Sequence, residues 1–172
     1  MNISDQLKAE ISRKNTDYIA HYIGNDLEIF KQLIDILFNG VSPLPHRASW
    51  VVSTISDNHQ ELVRPYLKRI VSHIEKFDHS GTRRNLLRYL AGEKIPEALQ
   101  GKMYDVCYRW LNSRNEPPAV KVHCMQILFN ISAKEPDLKK ELRLIIEELT
   151  EHESAAIKSR SKQLMRKLAV SG

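Results

Sequence analysis

Four basic residues recur along the chain at a constant interval of 37 residues, and each follows a turn and opens a helical pattern: Arg47, Arg84, Lys121 and Lys158. The positions thirteen and fourteen residues before each base are apolar or aromatic in all four segments: Leu33, Ile34, Ile70, Val71, Cys107, Tyr108, Leu144 and Ile145. A period of roughly 20 to 50 residues is typical of arrays of small stacked units. The interval therefore predicts one supersecondary unit that is repeated along the chain.

The composition favours helices as the building block. The 172 residues include only six glycines, and runs that alternate Val, Ile, Thr and aromatic residues are missing. Apolar residues make up 42% of the chain and charged residues 27%, which is an ordinary globular balance. We therefore expect an all-α fold that forms a single domain over residues 1–172.

Each unit is predicted to be a pair of helices, because apolar residues recur at helical spacing between prolines and glycines. The predicted units are 26–58, 59–95, 96–133 and 134–169. Their predicted helices are 26–38 and about 45–57, 59–77 and 81–91, 96–113 and 117–133, and 136–150 and 154–169. Residues 1–24 are expected to add capping helices, which break near Asn15 and Thr16 and stop at Gly24.

The pattern resembles HEAT repeats, the helical-hairpin units of α-solenoids. That family has an acidic residue, a short turn and then an apolar-basic pair, and three segments here match it best: Asp78…Arg83-Arg84, Asn115…Val120-Lys121 and His152…Ile157-Lys158. Only the second predicted repeat has the acidic residue. The first predicted repeat has Val41 in its place and His46 before Arg47. The resemblance implies a right-handed α-α superhelix of about four hairpins, with the second helix of each unit on the concave side.

The first question about the arginines of the second predicted repeat, residues 59–95, is whether they stabilise the fold or bind a ligand. As a member of the 37-residue series, Arg84 is predicted to pair with an acid such as Asp78 or with carbonyls of an adjacent turn. Arg83 and Arg88 lie outside the series, and the sequence leaves open whether they are solvated or reach a ligand.

If the second helices line a groove, positions two, five and nine residues after each base share one helical face. This face becomes polar toward the C-terminus, which would be costly in a core because an unpaired buried polar group costs about 1 to 3 kcal/mol. The candidate groove residues, with the two arginines still open, are Arg83, Arg88, Tyr89, His123, Gln126, Asn130, Arg160, Gln163 and Lys167. The alternative is an ordinary wet surface.

The net charge of +5 comes mainly from the last predicted helix, since residues 154–172 hold five basic residues and no acidic ones. In a C-terminal cap, Ile157, Ser161, Leu164, Met165 and Leu168 would face the preceding helices. Five bases would then lie in water: Lys158, Arg160, Lys162, Arg166 and Lys167. A solvated cap and a phosphate-binding surface are both compatible with this pattern.

No catalytic or metal-binding constellation is found in the sequence. The seven histidines form no HExxH motif, and no glycine-rich phosphate loop occurs. The "DHS" segment at 78–80 lies in a turn, where Asp and Ser more often satisfy backbone donors. Cys107 and Cys124 are expected to be buried free thiols, and Trp50 and Trp110 are expected to be packed. We therefore predict no enzyme activity, no cofactor and no metal.

These observations predict a monomeric, cytoplasmic scaffold that binds a macromolecule, with a protein as the expected partner. The alternative is a nucleic-acid-binding protein that uses a basic stripe of Arg83, Arg88, Arg160, Lys162, Arg166 and Lys167. No segment approaches the roughly 18 to 20 apolar residues that a membrane span requires, and the N-terminal segment is not predicted to be a signal peptide.

Overall fold

The computed structural model of the chain describes residues 1–149 and 154–170, and these form α-helices and short 3-10 turns without any β-strand. The helices are α1 (Ile3–Ala9), α2 (Arg13–Ile23), α3 (Leu27–Asn39), α4 (Leu44–Ile55), α5 (Gln60–Val63), α6 (Leu67–His73), α7 (Ser80–Gly92), α8 (Glu97–Asn112), α9 (Pro118–Ser132), α10 (Pro136–Leu149) and α11 (Ala155–Val170). The all-α prediction is thus confirmed for the described residues. Residue 150 of the predicted 136–150 helix and the motif residue His152 lie outside them.

The internal contacts of the chain divide it into two compact units, Met1–Tyr89 and Leu90–Gly172. In the first unit α3 packs against α4, and α1 and α2 also contact α4. In the second unit α8 packs against α9, while α11 contacts both α9 and α10. Helices that are adjacent in the sequence therefore form hairpins in each unit. The single domain, the number of hairpins and the handedness of a superhelix stay predictions.

The end of α1 and the start of α2 are capped by the side chains of Asn15 and Ser12. The predicted break near Asn15 and Thr16 is wrong, since both residues lie inside α2 and the turn ends at Ser12. The Ser12 hydroxyl accepts a hydrogen bond from the backbone N–H of Asn15 at 3.1 Å. The Asn15 amide in turn donates to the carbonyls of Gln6 at 3.0 Å and Glu10 at 2.8 Å at the end of α1. Gly24 ends α2 as predicted, with a φ of 49°.

The predicted continuous helix over residues 59–77 is wrong as well. It is interrupted by a 3-10 turn at Arg64–Tyr66, and a second 3-10 turn follows α6 at Ile74–Lys76. Pro65 explains the first interruption, because proline has no backbone N–H and its ring clashes with the preceding helical turn. Leu67, Ile70 and Val71 of α6 nevertheless remain buried, as the repeat pattern requires.

The core follows the repeat pattern except at Tyr108 of α8 and in α10. The apolar residues of α3 and α8 at the repeat positions Leu33, Ile34 and Cys107 are fully buried. In α10, however, Leu144 is 66% exposed, and Leu142 and Ile146 are the residues that pack. The buried apolar residues of α9 are Val120, Cys124, Met125, Ile127 and Leu128. In α11, the buried residues include Ile157, Ser161, Leu164 and Leu168. The apolar face expected for α11 is therefore turned toward its unit.

Candidate functional site: polar faces of the second helices

The four bases of the 37-residue series have different surroundings. The Arg47 guanidinium donates to the carbonyl oxygens of Leu7 at 2.7 Å and Lys8 at 3.0 Å, so it caps the C-terminal end of α1. Lys121 is buried and Lys158 is exposed. Because carbonyls at a helix C-terminus lack intrahelical donors, the Arg47 contact is architectural. The common spacing therefore marks a shared position in the sequence repeat, while the burial of the basic residue differs from repeat to repeat.

The carboxylate pairing expected for Arg84 is not formed by the contacts that position it. Its guanidinium donates to the Oδ1 of Asn85, the next residue of α7, at 3.2 to 3.3 Å. The carbonyl of Asp78 instead accepts from Arg83 at 2.8 Å. The predicted Arg84 role is thus wrong in its partner, and Arg83 has a local contact to the turn before α7.

Arg88 is also a bracing residue. Its guanidinium donates to the carbonyl and hydroxyl oxygens of Ser53 at 3.1 and 2.9 Å and to both carboxylate oxygens of Asp57 at 2.7 and 2.9 Å. One turn earlier on α7, the Asn85 amide donates to the hydroxyl of Ser49 at 3.0 Å. These bonds join α7 to α4 and to the residues that follow α4, so Arg88 is already occupied within its own unit.

The groove positions of the first unit are closed. Ser49 and Val52 on α4, Ser56 directly after α4 and Leu86 on α7 are all buried. Tyr89 is only 4% exposed, so its ring offers almost no contact area to a partner. The expectation that Tyr89 lines an accessible groove is therefore contradicted by its burial, because the same face of α7 that carries it packs within the protein.

The groove positions on α9 and α11 remain accessible, and three of them are connected by hydrogen bonds. The Arg160 guanidinium on α11 donates to the Gln126 Oε1 on α9 at 3.1 Å. The Gln126 amide donates to the Asn130 Oδ1 at 2.8 Å, and the Asn130 amide donates to the carbonyl of Ala91 at 2.9 Å. Arg160 and Gln126 are half-buried, and Asn130 is exposed. We call this chain of bonds the amide chain.

Three other predicted residues lie on the same two helices. His123 is half-buried on α9, one turn before Gln126, while Gln163 and Lys167 are exposed on α11. The Lys167 ammonium lies 5.9 Å from the centre of the Phe129 ring, within the range of a cation–π contact. The structure therefore places six of the nine predicted groove residues on α9 and α11, and three of these six form the amide chain.

The histidine of the "DHS" segment is stacked rather than paired with a nucleophile. The rings of His46 and His79 lie 3.9 Å apart at an angle of 22°. Burial, together with the positive charges of His79, Arg84 and Arg47, lowers the pKa of His46 to about 4. The Nδ1 of His79 accepts from the backbone of Gly81 at 3.1 Å. This imidazole pair and the apolar residues around it border a cavity of about 580 Å³ in the first unit.

The two cysteines are free and buried, as expected. They lie on the facing helices α8 and α9, and burial raises the pKa of the Cys107 thiol, with a contribution from its hydrogen bond to Cys124. A raised pKa keeps the thiol protonated and unreactive.

Trp110 is buried and Trp50 is half-buried, so both tryptophans are packed. Within residues 1–149 and 154–170, no group of three His, Cys, Asp or Glu side chains is placed to hold a metal ion.

The sequence reasoning missed a cleft of about 420 Å³ in the second unit. Its walls include Tyr104 and Tyr108, which are one turn apart on α8, and Glu141 on α10. The sequence repeat contained a signal for this cleft. Tyr108 is 39% exposed, whereas Ile34 and Val71, at the equivalent positions of the first two predicted repeats, are buried. An aromatic residue that stays partly exposed at a core position indicates that the neighbouring helix does not cover it.

The helical hairpins and the partly exposed polar face of α9 and α11 define a helical-repeat protein. The model of the HEAT repeat domain matches residues 3–168, and the chain belongs to this family. No curated protein and no solved structure matches the chain. HEAT repeat domains generally mediate protein–protein interactions and are typically non-enzymatic. Of the helices that the structure describes, none is long and apolar enough to cross a membrane.

Proposed function

We propose that this chain is a non-enzymatic scaffold that binds a protein partner through the polar face of α9 and α11. The residues of this face are His123, Gln126, Asn130, Arg160, Gln163 and Lys167. The observation that carries the proposal is the amide chain, which holds partly exposed polar groups in fixed positions. Groups that are already ordered lose less conformational entropy when a partner binds. A cytoplasmic location and a monomeric state are part of the same proposal.

The first unit supports this choice by contrast. Its corresponding positions are buried, and Arg88 is held by Ser53 and Asp57. A partner that used Arg88 would have to replace a bidentate carboxylate pair and two further hydrogen bonds. Because charge-assisted bidentate bonds are among the stronger ones in proteins, the α9–α11 face is the better candidate.

The same contacts weigh against nucleic acid as the ligand. Of the six bases proposed for a basic stripe, Arg83 and Arg88 already donate to acceptors within the first unit. Lys162 and Arg166 are exposed on α11. A nucleic-acid complex would therefore depend mainly on a few phosphate contacts from one helix, and its affinity at moderate salt concentration would be low.

Affinity capture from extract of the native cell tests the proposal. We expect the protein to retain a partner, and the double variant His123→Ala/Arg160→Glu to lose it, because the variant removes one side chain of the face and reverses the charge that anchors the amide chain. Lys162→Glu is the matched control, since it reverses an exposed charge on the same helix outside the face. Thermal melts of all three proteins check that they are folded.

The outcomes separate the two ligand classes. Retention of a protein partner by the parent and by Lys162→Glu, with loss in the double variant, supports the face. Unchanged capture by the double variant eliminates it. Nuclease-sensitive capture that weakens in Lys162→Glu and disappears at moderate salt would favour nucleic acid instead.

A further inference from the structure

The cleft in the second unit is formed between α8 and α10. Tyr104, Asp105 and Tyr108 line it from α8, and Glu135, Leu138 and Glu141 line it from the start of α10 and the residue before it. Gly101 on α8 also borders the cleft, and a Cβ built at that position would meet no atom within 4 Å. Its volume of about 420 Å³ falls within the range of sites that accept small ligands or single side chains.

The walls of the cleft are aromatic and aliphatic. Tyr104 and Tyr108 are four residues apart and therefore project from one face of α8. Tyr104 is half-buried and Tyr108 is 39% exposed, so both rings border the open space. Leu138 closes the opposite side from α10. A ligand in the cleft would consequently meet an apolar surface along most of its length.

The charged lining has only one sign. The residues that border the cleft, all of which the structure describes, include the carboxylates of Asp105, Glu135 and Glu141 and no lysine, arginine or histidine. Arg109 donates to one carboxylate oxygen of Asp105 at 3.1 Å from the next turn of α8. The chain as a whole carries a net charge of +5, so this negative site contrasts with the charge of the rest of the molecule.

One of the carboxylates is held in position by an aromatic wall. The Tyr104 hydroxyl donates to the Oε2 of Glu141 at 3.0 Å. Burial raises the pKa of the Tyr104 hydroxyl, and the hydrogen bond and charge of Glu141 raise it further, so the hydroxyl stays a donor. This bond occupies one carboxylate oxygen of Glu141 and fixes the direction of the other beside the ring.

We propose that this cleft binds an arginine side chain from a basic segment of the protein partner. Arginine has an apolar stem that can lie along the leucine and tyrosine walls, and its planar guanidinium can stack on an aromatic ring while it donates to carboxylates. A metal ion would gain nothing from such walls, and within the described residues no suitable trio of ligands exists for one. The proposal names the chemistry of a partner and thus rests on the proposed protein-binding function.

Nuclear magnetic resonance titration of the isotope-labelled full chain tests the proposal. The probes are three capped five-residue peptides, each with glycines around one central residue: arginine, lysine or citrulline. Citrulline has nearly the shape of arginine without its charge. We expect the arginine peptide to shift the resonances of Tyr104, Tyr108 and Glu141, the lysine peptide to bind more weakly, and the citrulline peptide to bind about tenfold more weakly than arginine or not at all.

Two variants and one control locate the interaction. Glu141→Gln removes the charge and keeps an oxygen that can accept from Tyr104, so we expect it to weaken binding of the arginine peptide by about five- to tenfold. Tyr108→Leu keeps an apolar wall but removes the ring, and it should weaken binding by about threefold. Glu148→Gln makes the same charge change at an exposed position of α10 outside the cleft lining, and it should leave the affinity unchanged.

Each remaining outcome would overturn the proposal. Equal binding of the citrulline and arginine peptides would show that charge is irrelevant, and equal weakening by Glu141→Gln and Glu148→Gln would show an unspecific charge effect. Shifts confined to residues outside the cleft, or no binding by the parent protein, would also contradict it. Because the peptide comparison uses the parent protein, the test survives if a variant fails to fold. Failure here leaves the α9–α11 face to its own capture experiment, so the two proposals are distinguished.

Discussion

Helices α4 and α9 are each joined to a later helix of their own unit by polar side chains, but the chemistry of the two junctions differs. Between α4 and α7 the donors are Asn85 and Arg88, and the acceptors include the buried residues Ser49 and Ser53. Between α9 and α11 the Arg160 guanidinium donates to Gln126, which is only half-buried. The first junction is thus an internal brace, whereas the second lies at the edge of the accessible surface.

This difference suggests where each unit can exchange contacts with a partner. Breaking an internal hydrogen bond leaves a buried group without a partner, at a cost of about 1 to 3 kcal/mol, whereas water can replace a bond at the surface. The groups around Gln126 can therefore turn to a ligand at little cost, while those around Ser53 are committed to the fold. The same helical position can accordingly serve stability in one unit and recognition in the other.

Removing the arginine from each junction should give the largest difference between the units. We expect Arg88→Met to lower the free energy of unfolding by about 2 kcal/mol, because it removes four hydrogen bonds, although exposure of half of the side chain weakens the Asp57 pair. Arg160→Met should cost about 0.5 to 1 kcal/mol, since it removes one bond to a neutral amide. Urea denaturation followed by circular dichroism measures both.

Methionine keeps much of the apolar stem in both variants, so the comparison isolates the guanidinium. Asp57→Asn provides a second measure for the first unit, because it retains one oxygen acceptor but removes the charge and the second acceptor of the Arg88 pair. Equal losses for Arg88→Met and Arg160→Met would remove the distinction between an internal brace and a surface contact.

The positions of most helices follow from the sequence, but the partners of their polar side chains do not. Apolar periodicity and flanking prolines place α3, α8, α9 and α11 to within about two residues. The interruption at Pro65 could have been predicted from the missing N–H of proline. In contrast, the position of Arg88 on α7 says nothing about Asp57, because that contact depends on how two helices lie across their interface. The α8–α10 cleft depends on an interhelical gap in the same way.

Acidification should weaken the first unit through His46. The pKa of this imidazole is lowered to about 4, well below its ordinary value of 6.5, so the folded state keeps it neutral where the unfolded chain would protonate it. Stability should therefore fall as the pH drops from about 6.5 toward 4, and we expect His46 to account for about 1 kcal/mol of this loss, given that it is only partly buried. Denaturation at pH 7 and pH 4.5 measures the change.

The matched variants for this prediction replace one histidine each by glutamine. His46→Gln should reduce the difference in stability between the two pH values. His21→Gln in the same unit should leave it as in the parent, because His21 is exposed on α2. If stability falls by the same amount between pH 7 and pH 4.5 in all three proteins, protonation of His46 does not contribute to the acid sensitivity, and the prediction is wrong.

The smallest effect concerns the second unit and raises its stability. Gly101 lies inside α8, and a methyl group there would meet no atom within 4 Å. Gly101→Ala should therefore stabilise the protein by about 0.5 to 1 kcal/mol, since alanine loses less backbone entropy in a helix. Gly92→Ala also meets open space, but Gly92 is the last residue of α7, where the gain should be smaller.

If the two units unfold separately, Gly101→Ala and Arg160→Met should shift the same unfolding transition, that of the second unit. Gly101→Ala should leave unchanged the transition of the first unit, which Arg88→Met shifts. A single transition shifted by all three substitutions would instead mean that the two kinds of junction stabilise one cooperative structure, in which case the contrast between them is one of surface accessibility alone.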